Sequence, residues 1–237
     1  ATPATLMALW LFSLNSRFLK FAEEGQKEMA TAMKAGQKDD WHGFMRLFFV
    51  TIMRSAIMNG MNTFIPLFWL SILMQTEETS VETSGLITSL IALAGAFATL
   101  TGGRMSDKLG YKNMIRTGLI ALVPCMAIAA YTRSIFVSAV ILFLAAFCLN
   151  LAYSPSVVLG QKLIPNHMGL ASGITMGLAQ SFGGIVSPLL GKVGDVHGVG
   201  LVMWILVAIC VLAALSSIIL PNDPDQIIIK SKKKLHN

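Results

Sequence analysis

Six long apolar blocks dominate the chain, at residues 44–74, 83–103, 115–131, 135–159, 168–190 and 200–220. A helix rises 1.5 Å per residue, so about 20 residues cross a hydrocarbon core of ~30 Å. The blocks are apolar all round rather than at amphipathic spacing, which predicts membrane-spanning helices. Composition agrees: of 237 residues 54% are hydrophobic and only 13% are charged, against about 25% in soluble domains. So few charges cannot cover a soluble globule of this size. An ordinary cytosolic enzyme, a disordered chain and a disulfide scaffold are thereby excluded. Cys125, Cys148 and Cys210 all fall inside apolar blocks and read as small packing residues.

The flanks are read from length and charge. Residues 6–14 are too short to cross a bilayer and follow no basic leader. Residues 1–16 are therefore expected to be the end of a truncated transmembrane helix that begins upstream. Residues 17–43 are polar and mixed in charge, a cytoplasmic central loop with a short surface helix expected near 22–35. Residues 44–220 form a six-helix transmembrane bundle, with Pro66 predicting a kink or a broken outer half in the first span. Residues 221–237 are a basic tail.

Of the 18 Lys and Arg residues, Arg54 lies within a span and Arg133 and Lys192 fall on one side. The other 15 fall on the opposite side. The positive-inside rule makes that side cytoplasmic. The expected protein is multi-pass in the cell inner (plasma) membrane with its C-terminus in the cytoplasm. The net charge of +6 is thus topological, and no basic stripe with aromatics points to nucleic acid.

Between the second and third blocks the chain reads Gly102-Gly103-Arg104-Met105-Ser106-Asp107-Lys108-Leu109-Gly110-Tyr111-Lys112. Gly103 and Gly110 permit a tight turn and close helix approach. Asp107 can accept from the next helix start or pair with a cation. Arg104, Lys108 and Lys112 hold the segment at the inner face. This Gly-x3-Asp-Lys-x-Gly pattern resembles the signature loop of the major facilitator superfamily, with Tyr111 where a basic residue is common. The position resembles the second copy of that loop, between helices eight and nine of twelve. The resemblance covers essentially the whole chain. It implies an all-α integral membrane fold: helices seven to twelve, plus the end of helix six, with an N-terminal six-helix half as partner. Residues 161–195 further resemble fosmidomycin resistance proteins, bacterial drug-efflux members of the superfamily, which implies proton-driven efflux.

Gly169, Gly173 and Gly177 recur every four residues and predict a face for close helix approach. Gly183, Ser187, Pro188 and Gly191 are similar to the superfamily's antiporter motif and read here as a packing and bending element. Gly95, Thr99 and Gly103 repeat the spacing in the second span. The resemblance implies that these two helices meet the other half.

Ionisable side chains inside spans are costly and mark function. Arg54 is the clear case, with Met58 and Met61 on its helical face and Asn62 at the edge. A cation lined by Met and flanked by an amide suits an amphipathic anionic ligand. Asn150, Tyr153 and Ser154 form a polar patch beside Pro155 in the fourth span. Superfamily architecture implies that both helices line the central cavity, which makes Arg54, Met58, Asn62, Asn150 and Tyr153 the substrate candidates. Gln180 and Ser181 rank behind them as helix contacts.

No span holds Asp or Glu, so a coupling carboxylate is expected outside this half. His42, His167, His197 and His236 show no metal-ligand spacing. No nucleophile elbow or phosphate-binding loop occurs, and no catalysis, metal or cofactor is expected. The expected activity is secondary active efflux of a small molecule by alternating access. Metabolite uptake by the same fold and a non-transporting membrane scaffold or receptor are the alternatives.

Overall fold

The structure, a computed structural model, describes residues 38–72 and 77–221. The expected helix end at 1–16, most of the 17–43 loop with its surface helix, and the tail beyond Pro221 lie outside these residues. Among the described residues the chain is helical throughout. The helices are α1 (Trp41–Ile72), α2 (Glu77–Leu109), α3 (Tyr111–Tyr131), α4 (Ile135–Leu151), α5 (Tyr153–Leu163), α6 (Met168–Ser172), α7 (Ala179–His197) and α8 (Val199–Ile218). A 3-10 turn, Pro165–His167, precedes α6, and a π-helical turn, Gly173–Leu178, joins α6 to α7. Because α4 continues into α5 and α6 into α7, the described residues make six rods.

Four rods are by length and apolarity able to cross a membrane: Tyr111–Tyr131, Phe136–Leu163, Pro165–His197 and Val199–Ile218. The other two are α1, with 32 residues, and α2, with 33. Their apolar character is diluted, in α1 by Arg46, Arg54, Asn59 and Asn62 and in α2 by charges at both ends.

Prolines act by position. Pro66 lies inside α1, which runs unbroken to Ile72; the expected broken outer half is not found. One proline removes one backbone bond, and the neighbouring turns hold the helix together. Pro188 likewise sits inside an unbroken α7. The breaks fall elsewhere. The fourth rod is interrupted at Ala152, three residues before Pro155, so Pro155 occupies the first turn of α5, where its missing N–H is not needed. The Ser156 hydroxyl donates to the Ala152 carbonyl at 2.6 Å and satisfies the break. The fourth rod also runs to Leu163, four residues past the expected end.

The rods pack most extensively as α1 on α7, α2 on α4, α3 on α4, and α8 against both α1 and α3. Leu47, Ile57 and Phe68 of α1, Leu122 and Met126 of α3, Leu149 of α4 and Cys210 of α8 are fully buried between them. Lipid tails are as apolar as leucine, so close van der Waals fit rather than water exclusion holds such rods together. Small residues supply that fit. A Cβ on Gly183 would stand 2.6 Å from the Ser55 carbonyl carbon, and one on Gly102 would stand 2.5 Å from the Leu151 carbonyl oxygen. Phe97, Leu100 and Phe136, in contrast, face outward and are more than half exposed.

One end of the bundle gathers the start of α1, the α2–α3 turn and the end of α5. There the Asp40 amide donates to the Leu163 carbonyl at 2.8 Å, and Gly43 lies against Pro221. Arg46, Arg104, Lys108, Lys112 and Lys162 all belong to this end.

Candidate functional site

Two substrate candidates 99 positions apart meet inside the bundle. Arg54 lies 13 residues into α1, about 20 Å from its start, and is only 4% exposed. Its Cζ stands 4.7 Å from the centroid of the Tyr153 ring. The helix break at Ala152 sets the direction from which Tyr153, the first residue of α5, approaches. One guanidinium nitrogen, Nη2, reaches the Ser55 hydroxyl at 3.5 Å, the outer limit of a hydrogen bond. The Arg54 Nε is buried and has no hydrogen-bond partner. Among the described residues no carboxylate pairs with the guanidinium. The site is therefore a desolvated cation held by a π face, with a donor left for an anion. Ser55 and Ala56, next to Arg54, form the contact with Gly183 of α7.

The remaining candidates separate. Met58 is half-buried and Asn62 exposed, one and two turns further along α1. Asn150 donates to the Ala146 carbonyl at 2.9 Å and fills the space above Gly95 of α2, whose added Cβ would meet its Nδ2 at 2.9 Å. Ser154 sits in the same way over Gly103, 3.1 Å from such a Cβ. Of the 150–154 patch, Tyr153 turns to Arg54, and Asn150 and Ser154 turn to α2.

The 102–112 segment is mostly helix. Arg104, Asp107 and Lys108 lie in the last turns of α2, and the turn itself is the single residue Gly110, at φ 91° and ψ 140°. An L side chain rarely adopts that backbone, so glycine is required there. The Tyr111 hydroxyl donates to Asp107 Oδ1 at 2.7 Å. The face of the same ring holds Lys162 Nζ at 4.5 Å. Tyr111 thus links the α2–α3 turn to the end of α5, through an aromatic ring at the position where a basic residue was the expected pattern.

The six predicted packing positions differ from one another. Gly183 is in tight contact with α1, and Pro188 lies within α7. A Cβ on Gly169, Gly173, Gly177 or Gly191 would meet nothing within 4 Å. The face with Gly169, Gly173 and Gly177 touches no other helix among the described residues. It includes the π turn, where the wider coil changes the side-chain register.

Sequence reasoning missed a clasp at the basic end. Asp39 accepts from the Asn166 amide and side chain at 3.2 and 3.1 Å, and its Oδ2 lies 2.9 Å from His167 Nδ1. Asp40 caps α1 by accepting from the Gly43 amide at 2.9 Å. The Asp40 cap is legible as an acidic residue just before a helix start; the Asp39 contacts, more than 120 positions distant, carry no local signal. Among the described residues no group of three His, Cys, Asp or Glu can hold a metal ion.

Comparison with known proteins follows the same lines. The family model of the Major Facilitator Superfamily matches residues 2–188 and 47–235. The fosmidomycin resistance protein of Escherichia coli (strain K12) is 30% identical over 151 residues, 64% of this chain and 37% of that protein. An uncharacterized MFS-type transporter, YfnC, of Bacillus subtilis (strain 168) is 29% identical over 150 residues, 63% of this chain and 36% of that protein. The matched region thus spans just over a third of either relative. An all-helical bundle of long apolar rods and a family match over most of the chain lead to one conclusion: this protein belongs to the major facilitator superfamily.

Proposed function

We propose that the chain is the C-terminal half of a secondary active transporter that exports a small anionic or amphipathic compound, such as fosmidomycin, in exchange for protons. The observation that carries this reading is Arg54: a buried guanidinium stacked on Tyr153 with its Nε unpartnered. A phosphonate or carboxylate supplies the acceptor that the site lacks, and a desolvated Arg holds such a group by charge-assisted bonds. The likeness to a fosmidomycin resistance protein supports a phosphonate-type substrate. Transport follows alternating access: two six-helix halves rock about a midplane site. The second half and the coupling carboxylate lie outside the chain described here. Met58 and Asn62 extend the substrate face along α1. The Asp107–Tyr111–Lys162 contact holds the cytoplasmic ends of α2, α3 and α5 together in one state. The basic end of the bundle, with the C-terminal tail, faces the cytoplasm of the inner membrane. Catalysis and cofactors have no part in this scheme.

The test is growth of a pump-deficient bacterium expressing the complete gene product that contains this chain, across fosmidomycin and unrelated toxic compounds. Arg54→Leu and Asp107→Asn variants run beside it at matched membrane expression. Resistance to fosmidomycin that is lost with Arg54→Leu supports the assignment. Full resistance in that variant removes Arg54 from the substrate site, and no resistance to any compound in the parent removes efflux.

A further inference from the structure

A cavity of about 660 Å³ opens at the end of the bundle remote from the Asp107 turn, between the end of α3, the α3–α4 connection and the start of α8. Its lining includes Ile128, Tyr131, Thr132, Arg133, Gly200 and Trp204. These residues are graded with depth. Arg133 lies in the short connection beyond α3, exposed, with no hydrogen bond or ion pair among the described residues. Tyr131, 81% exposed, is the last residue of α3. Trp204, 50% exposed, lies about 8 Å along α8 from its start. Ile128 is exposed one turn below Tyr131. Among the described residues no carboxylate lines the cavity.

From this grading the geometry points to a binding site for an anionic phospholipid. Arg133 holds the headgroup phosphate. Tyr131 and Trp204 sit at the depth of the glycerol backbone, where amphipathic rings settle in bilayers. One acyl chain runs down between α3 and α8, past Ile128 and Trp204. The outward faces below the cavity are apolar, with Ile120 on α3 and Leu212 and Leu215 on α8 exposed, so the chain stays in contact with apolar surface along its length. Charge complementarity selects the occupant: an exposed cation with no partner among the described residues, above an apolar floor, suits a lipid phosphate and no apolar partner. The site stands on membrane embedding and is independent of the transport reading.

Native mass spectrometry of the complete gene product in detergent tests the site, with dioleoylphosphatidylglycerol and dioleoylphosphatidylcholine as probes. A surface Lys or Arg is worth about 1 kcal/mol toward an anionic lipid, about fivefold in retention. Arg133→Gln is expected to lower phosphatidylglycerol retention by about that factor, with Arg133→Lys retaining most of it. Trp204→Ala is expected to lower retention of both lipids. Lys192→Gln, a change of an exposed cation outside the cavity, serves as the control and is expected to change neither. Equal retention in Arg133→Gln and parent, or an equal loss in Lys192→Gln, overturns the site. Displacement by soluble glycerol phosphate assigns the cavity to free phosphates and also overturns it. Unchanged thermal unfolding of Arg133→Gln without lipid separates lost binding from lost fold.

Discussion

Replacing Arg54 by leucine should stabilise the bundle while abolishing transport. A cation at the centre of a membrane helix costs about 2.5–3.5 kcal/mol on insertion scales. The Tyr153 ring, 4.7 Å from Cζ, returns about 2 kcal/mol in a desolvated setting. The Ser55 contact at 3.5 Å adds little, and the Nε has no partner. The balance leaves Arg54 unfavourable by about 1 kcal/mol. Leucine removes that deficit and fills similar space, so the folded-to-unfolded ratio should rise about fivefold. Reversible unfolding of the detergent-solubilised protein by sodium dodecyl sulfate measures it. The same experiment on Tyr153→Leu should show a loss of about 2 kcal/mol when Arg54 is present and close to none in the Arg54→Leu background. That coupling isolates the stack. A loss of 2 kcal/mol or more in Arg54→Leu would refute the reasoning, because it would mean that a partner in the fold already satisfies the guanidinium. Zero coupling with Tyr153 would refute the stack itself.

Two glycine contrasts test the packing. Gly183→Ala places a methyl 2.6 Å from α1 backbone and should cost about 1–3 kcal/mol of stability, and because Ser55 is the residue struck, substrate affinity should fall with it. Gly177→Ala meets nothing within 4 Å and should leave unfolding unchanged or slightly improved; a drop in transport without loss of stability would place that face against the other half, and a drop in stability would contradict the open face. Gly110→Ala and Gly110→Asn should each cost about 1–3 kcal/mol in the same unfolding assay, because the backbone at φ 91° and ψ 140° suits glycine alone; a neutral Asn variant would show that the turn relaxes.

Much of this protein was legible before any contact was known. Block length and apolarity specify helices because a bilayer offers no water to unpaired backbone groups, so each span must satisfy its own hydrogen bonds. That rule needs no knowledge of neighbours. The gathering of Arg104, Lys108, Lys112 and Lys162 at one end follows in the same way from alternation of the rods, and Gly110 announced its turn because few residues accept a positive φ. The buried cation was visible as a rare residue in an apolar run. Helix interruptions were read less well: Pro66 predicted a kink or a break, and α1 shows no break, while the interruptions at Ala152 and at Gly173–Leu178 depend on which turn of a helix must accommodate the defect.

Tertiary structure alone decided which polar residues meet. Arg54 reaches Tyr153 because α1 packs beside α5, whereas Asn150, three residues away on the same patch, turns to Gly95 instead. Tyr111 reaches Lys162, and Asp39 holds Asn166 and His167, across separations with no local trace. Lengths and periods along a chain dictate local helices, since every backbone bond of a helix is made within four residues. The azimuth of each rod against its neighbours depends instead on the fit of small and large side chains from distant segments, as Gly183 against Ser55 illustrates. The meeting of Arg54 with Tyr153 resides in that azimuth.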